Sequence, residues 1–165
     1  MGRCRICKNK LVKIIDLGKI ALVGNFLKKI KNLKKFKISL NYCKNCKHIQ
    51  ISEILKPDLL FKNYLWETGV SKSNIILIED LEKKLIKLGI SKKTRIFEIA
   101  SNDGSFLKFI KKKYKCFVLG IDPAKNLKKI AKKNNINTIA NYFSYKISKK
   151  LKKNYNFFDY IFARN

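Results

Sequence analysis

The sequence predicts an α/β chain in two parts. Residues 1–60 form a small β-rich module, and residues 93–165 form part of a parallel sheet with helices. A connecting segment and helix at 61–92 join them. Three observations carry this expectation. Four of the five cysteines lie in the first part as two C-x-x-C pairs. Residues 71–88 carry an apolar stripe of helical period. From residue 95 onward, short apolar runs alternate with amphipathic ones in the manner of successive βαβ units.

The elements follow in order. KLVKIIDLGKIALVGNFLKK and then FKISLNYC suit short strands, with turns at Gly18 and Gly24. Pro57 punctuates the chain before the aromatic run LLFKNYLWETG, where Gly69 ends an irregular or helical segment. Ile75, Ile78, Leu81, Leu85 and Leu88 then recur at steps of three and four, which sets them on one helix face. Ser71 or Ser73 caps that helix, Glu79–Lys83 and Asp80–Lys84 pair along it, and Gly89 stops it. RIFEIA (95–100) is a strand, and GSFLKFIKKKY is a helix with Phe106, Leu107 and Ile110 inward. CFVLGID (116–122) is the next strand, and PAKNLKKIAKKNN its helix, with Pro123 in the first turn. INTIA (136–140), a short polar helix or loop, and the strand FDYIFAR (158–164) complete the pattern.

Composition narrows the function classes. The chain has 165 residues, of which 46% are apolar, enough to pack a core. No apolar run approaches the roughly 18 residues of a membrane span. MGRCRICKNK lacks the apolar stretch of a signal peptide, and Ile6 stands where a myristoylation signal needs Ser or Thr. A cytoplasmic location follows as the expectation. The formal charge of +28 suggests polyanions, but the only arginines are Arg3, Arg5, Arg95 and Arg164. Lysine is a point charge without arginine's fork, and here it is spread evenly among Ile and Asn. Compositional drift with solvated lysine faces explains the charge more simply than a nucleic-acid footprint.

Cys4-x-x-Cys7 and Cys43-x-x-Cys46 form two knuckles, each placing two thiolates on one side of a tight turn. Two such turns complete a tetrahedral cage of four sulfurs, which suits structural zinc because no coordination position stays open. The alternative is four unrelated buried or redox cysteines. His48 lies close by but has four cysteines ahead of it as ligands. Cys116, at the start of a strand, suits the core.

The stretch RIFEIASNDGSFLKFI places a turn between strand and helix at the carboxyl edge of the sheet, where α/β folds bind ligands. It spends one glycine, Gly104, where dinucleotide loops spend three. Asp103 repels pyrophosphate but attracts an amino or sulfonium cation. Asp122 ends the next strand, where an acidic side chain accepts hydrogen bonds from ribose hydroxyls. A cationic nucleoside without phosphate describes S-adenosylmethionine better than NAD. Plainer roles are also open: Glu98 in an ion pair, and Asp122 capping the following helix.

FEIASNDGSFL, GIDPAKNLKKIA, ANYF and the final ARN resemble the class I S-adenosylmethionine-dependent methyltransferases, which have a Rossmann-like fold. With the double knuckle in front, and with DLGKIALVGNFLKK and YLWETGVSKSN in their places, the chain resembles the zinc-containing sugar C-methyltransferases. Those enzymes methylate carbon in nucleotide-linked keto-deoxysugars. The resemblance implies that Glu98, Ala100, Ser101, Asn102, Asp103 and Gly104 surround the methionine part of the cofactor. It implies that Asp122 holds the ribose, that Asn141, Tyr142 and Phe143 lie beside the adenine, and that Asn165 reaches the rim. Two departures stand out: the family usually has glycine at position 100 and aspartate at position 141. The resemblance also implies further strands and a tyrosine–histidine region after Asn165, so the expectation is a truncated reading frame, a split gene or a fragment without its general base. The rival expectations are a basic zinc-ribbon module that binds nucleic acid, and a module whose sheet is completed by a second polypeptide.

Overall fold

The structure, a computed structural model, describes residues 2–22 and 32–164. The chain divides into two compact units, Met1–Leu60 and Phe61–Asn165.

The first unit is a three-stranded antiparallel sheet of β1 (Leu11–Ala21), β2 (Lys35–Cys43) and β3 (Ile49–Ile51), in the order β1-β2-β3. Gly18 is not a turn. It lies inside β1, in the second of two register shifts against β2, at φ 71°. The Asp16 carboxylate accepts a hydrogen bond from Gly18 N–H at 3.0 Å, so the strand takes up an extra residue as a bulge and continues. Gly24 lies outside the described residues. Among the described residues of this unit the buried apolar set is small: Cys4, Leu11, Phe36 and Cys43. Val12, Ile14, Ile15 and Leu17 are exposed.

The second unit holds a four-stranded parallel sheet of β4 (Arg95–Ile99), β5 (Phe117–Ile121), β6 (Thr138–Ile139) and β7 (Tyr160–Ala163). Its order is β6-β5-β4-β7. The first three strands march outward and the fourth returns beside the first, so strand order reverses between β4 and β7. α1 (Pro57–Phe61) spans the boundary between the units in the chain, and around the sheet run α2 (Lys72–Lys87), α3 (Ser105–Tyr114), α4 (Lys125–Lys133) and α5 (Tyr145–Tyr155).

Alternation along the strands explains the layers. Ile96 and Val118 face Ile78 and Leu85 of α2, Phe106 and Ile110 of α3, and Ala131 of α4. Phe97, Leu119 and Ile121 face the other way, onto Leu151 of α5. Phe106, Leu107 and Ile110 are wholly buried, as the period of α3 predicts. Cys116 joins the same core.

Several local expectations are corrected. In α2, Ile75 and Leu88 are exposed, whereas Glu82 is buried among the apolar residues. Glu82 pairs with Lys113 at 2.8 Å and accepts a hydrogen bond from Tyr114 Oη, and the Lys113 bond foremost holds its carboxyl below the usual range. Ser71 is the N-cap residue but offers no side-chain cap, because its hydroxyl bonds to Ser73. Asp80 pairs with Lys83, one turn position earlier than expected. Pro123 precedes the N-cap Ala124 and so stands outside α4. The polar stretch after β6 is a full helix, capped by Ser144 at Ile147 N–H.

Candidate functional site

The two knuckles repeat one geometry. Cys4 O accepts from Lys8 N–H at 2.9 Å, and Cys43 O accepts from Lys47 N–H at 2.8 Å. Cys4 N–H donates to Asn9 O, and Cys43 N–H donates to His48 O. Lys8 and Lys47, at matching places, are both left-handed, with φ of 63° and 60°. Gln50 of β3 ties the sheet to the first knuckle by accepting from Arg5 N–H at 2.9 Å.

This brings all four sulfurs of Cys4, Cys7, Cys43 and Cys46 within 4.8 Å of one another. Cys4–Cys46 is 3.5 Å and Cys7–Cys43 is 3.3 Å, far beyond a disulfide, and all four are free thiols. Four sulfurs around zinc lie about 3.8 Å apart, the edge of a tetrahedron with bonds of about 2.3 Å. The residues therefore fit the metal. Their electrostatics ask for it: a backbone hydrogen bond from Asn9 holds Cys7 down near 5. At Cys46 a backbone bond from His48 pulls downward, yet burial and the three neighbouring sulfurs raise the thiol to about 12. Four thiolates cannot share this space without a cation. His48 is half-buried and stands outside the sulfur cluster.

The second candidate site lies at the carboxyl edge of the parallel sheet. The loop after β4 is left-handed at every other residue, with φ of 55° at Ala100, 52° at Asn102 and 76° at Gly104. Gly104 needs its missing side chain, since a Cβ there would meet Ile136 at 3.1 Å. Asn adopts this region at modest cost, but alanine does not. Replacing the exposed Ala100 by glycine is expected to raise stability by about 0.5–1 kcal/mol in urea unfolding, relief of backbone strain exceeding the added chain entropy.

Asp122, at the end of β5, closes the loop from below. Its Oδ2 accepts from Asn102 N–H at 2.9 Å and its Oδ1 from Ala124 N–H at 2.8 Å. Burial raises its carboxyl above the usual range against the pull of those two bonds. Asp103 is buried as well: Oδ1 accepts from Ser105 N–H and Oδ2 from Gly69 N–H at 2.8 Å. Asn102 accepts from Thr68 N–H and donates from Nδ2 to Trp66 O. The loop is thus covered by a strap, residues 61–69, which sequence reasoning did not find. Gly69 admits it, because a Cβ there would fall 2.3 Å from Ser105 Oγ.

Glu98 is paired. Its Oε1 accepts from Arg164 Nε at 2.8 Å and Nη2 at 2.6 Å, and its Oε2 has no partner. Burial pushes the carboxyl up to about 7, with Arg164 opposing. The register row Thr138, Gly120, Glu98 crosses the sheet, and Ser101 leans over Gly120, where a Cβ would meet its Oγ at 2.3 Å. Ser101 Oγ and Thr138 Oγ1 are, like Glu98 Oε2, buried without a partner. Beyond β6, Asn141 is exposed and accepts from Tyr142 N–H, Tyr142 is half-buried, and Phe143 sets its ring 5.8 Å from Phe97. Asn165 lies outside the described residues. Among the described residues no helix is long and apolar enough to cross a membrane.

Residues 4–61 match the model of a methyltransferase-named family described as "Putative zinc binding domain". The chain is also 23% identical over 156 residues to C-methyltransferase NovU of Streptomyces niveus, an alignment covering 92% of this chain. It spans only 37% of the length of that relative. Residues 4–61 are thus similar to a zinc-binding domain, with four cysteine sulfurs gathered as a metal requires, and the chain as a whole is similar to a C-methyltransferase.

Proposed function

We propose that the parallel-sheet unit binds S-adenosylmethionine across the carboxyl ends of β4, β5 and β6, and serves methyl transfer to a carbon of a nucleotide-linked keto-deoxysugar. The observation that carries this reading is the pair of buried, unpartnered acceptors, Glu98 Oε2 and Ser101 Oγ, in β4 and the loop after it. A buried polar atom without a partner costs free energy until a donor reaches it. The cofactor's amino group is such a donor, so the residues present fit it.

Asp122 supports the same reading. Each of its oxygens accepts one backbone N–H, which leaves a second lone pair on each for ribose hydroxyls. The two bonds also fix the carboxylate, so little order is lost when a ligand arrives. Bound there, the sulfonium cofactor supplies an electrophilic methyl group to a carbanion next to the sugar's ketone. The chain's own part is to hold and orient: Asp122 at the ribose, Glu98 and Ser101 at the amino-acid end, and the strap over the loop.

Calorimetry at about 150 mM salt tests this, since ionic strength there screens nonspecific lysine contacts. Saturable binding of S-adenosylmethionine is expected, weakened at least tenfold in Asp122→Ala, as is typical for loss of a charged hydrogen bond. Tight binding of a labelled oligonucleotide at that salt with no heat from the cofactor would replace this reading with nucleic-acid binding.

A further inference from the structure

We infer that the apolar face of the N-terminal sheet is a self-association surface, on which a second copy of this chain packs face to face. The inference stands apart from the cofactor reading above.

Strand register sorts the side chains of β1, β2 and β3 onto two unlike faces, because residues directly opposite in an antiparallel pair share a face. Lys13, Asn41 and Gln50 form one row, and Asp16 with Ser39 and Lys19 with Lys37 extend it. That face is polar and carries the lysines. On the other face Val12, Tyr42 and Ile49 form one row, and Ile15, Leu40 and Ile51 the next. Ile38 follows by alternation, and then Ile20 lies opposite Phe36. This face is apolar in every row. An antiparallel sheet normally packs such a face on a core. Here it is left in water: Val12 is 42% exposed, Ile15 47%, Ile49 52% and Ile51 47%.

Charge and area choose the occupant. An acidic or nucleic-acid partner would be drawn to the lysines, which stand on the opposite face. The apolar rows hold no charged side chain, and Lys34, 5.3 Å from the centre of the Phe36 ring, marks one rim. Their partner must therefore be flat, uncharged and of similar extent. A second copy offers such a surface through a two-fold axis, as one sheet packs on another in a sandwich. From strand spacing and length, each face presents on the order of 500 Å², so two copies bury on the order of 1,000 Å², where specific interfaces begin.

Sedimentation equilibrium of the zinc-loaded chain tests this. At about 150 mM salt a dimer is expected to form at about 10–100 µM, as suits an interface at the small end of the range. Ile15→Asp and Ile51→Lys, both at exposed positions, should weaken it about tenfold or more by burying an unpaired charge, with zinc content unchanged. Lys37→Glu, on the polar face, should leave it intact. Raising salt from about 50 to 500 mM should strengthen it, since screening removes the repulsion between two copies of charge +28. Without any variant, concentrating the protein should slow hydrogen exchange in β1–β3 and not in β4–β7. A chain still monomeric at about 100 µM overturns the inference. So does a dimer that survives both apolar-face variants, one that salt dissolves, or protection gained only in β4–β7. Monomers that bind neutral lipid vesicles through Ile15 and Ile51 assign the face to a bilayer and overturn it as well.

Discussion

A strong chelator is expected to unfold the N-terminal unit while the parallel sheet stays folded. In hydrogen exchange, the amides of β1, β2 and β3 should lose protection and those of β4 to β7 should keep it. The reason is the size of the core. Cys4 and Cys43 are two of the four buried apolar residues among those described in this unit, and both lie within the sulfur cluster. Sheets this small are marginal without a staple. Zinc bound by four cysteines contributes about 10–16 kcal/mol to folding at neutral pH, more than such a core can replace. Cys43→Ser should act like the chelator, because Cys43 is fully buried, pairs with Leu11 in the sheet register and contacts Cys7. Protection of β1–β3 that survives metal removal would mean that apolar packing, not the metal, holds this unit.

The cysteine cluster was legible because C-x-x-C encodes its own local turn, and the repeat at Cys43 needs only the hairpin of β1 and β2 to bring the two together. The helix α3 and strand β4 were legible for a similar reason: Phe106, Leu107 and Ile110 keep a helical period, and RIFEI is a short apolar run between breakers. Gly18 misled because glycine marks both turns and bulges, and only the pairing of β1 with β2 distinguishes them. The strap was invisible for a different reason. Its anchors are backbone N–H and C=O groups of Trp66, Thr68 and Gly69 meeting the side chains of Asn102 and Asp103, which lie 34 to 36 positions away. No periodicity records such bonds. Asp103, taken alone in its loop, suggests an open carboxylate waiting for a cation; in the fold Gly69 of the strap and Ser105 of α3 give its two oxygens partners. The row of Thr138, Gly120 and Glu98 was equally hidden, since it depends on strand register and not on sequence spacing.

The second large effect is expected at Arg164. Arg164→Met should leave stability near wild type at pH 5 and cost about 3 kcal/mol at pH 9, the size typical of removing one partner from a buried ion pair. Methionine keeps apolar contact where the guanidinium now lies 4.4 Å from the centre of the Phe106 ring, so the loss reports charge more than packing. The sign follows from Glu98, whose side chain is 1% exposed against 28% for Arg164. Burial raises the Glu98 carboxyl from 4.5 to about 7, and Arg164 limits that rise. A carboxyl raised on folding stabilises the fold most while it is protonated, and that contribution is lost as pH climbs through the folded-state value. In the wild type the loss is therefore complete just above pH 7. Without Arg164 the carboxyl rises further, so the decline continues into alkaline pH and the two curves separate there. Chemical denaturation at pH 5 and pH 9, with the Glu98 carboxyl followed by carbon-13 NMR, checks both halves. An equal deficit at the two pH values would show that Arg164 acts through packing on Phe106 and that the Glu98 pair is electrostatically idle.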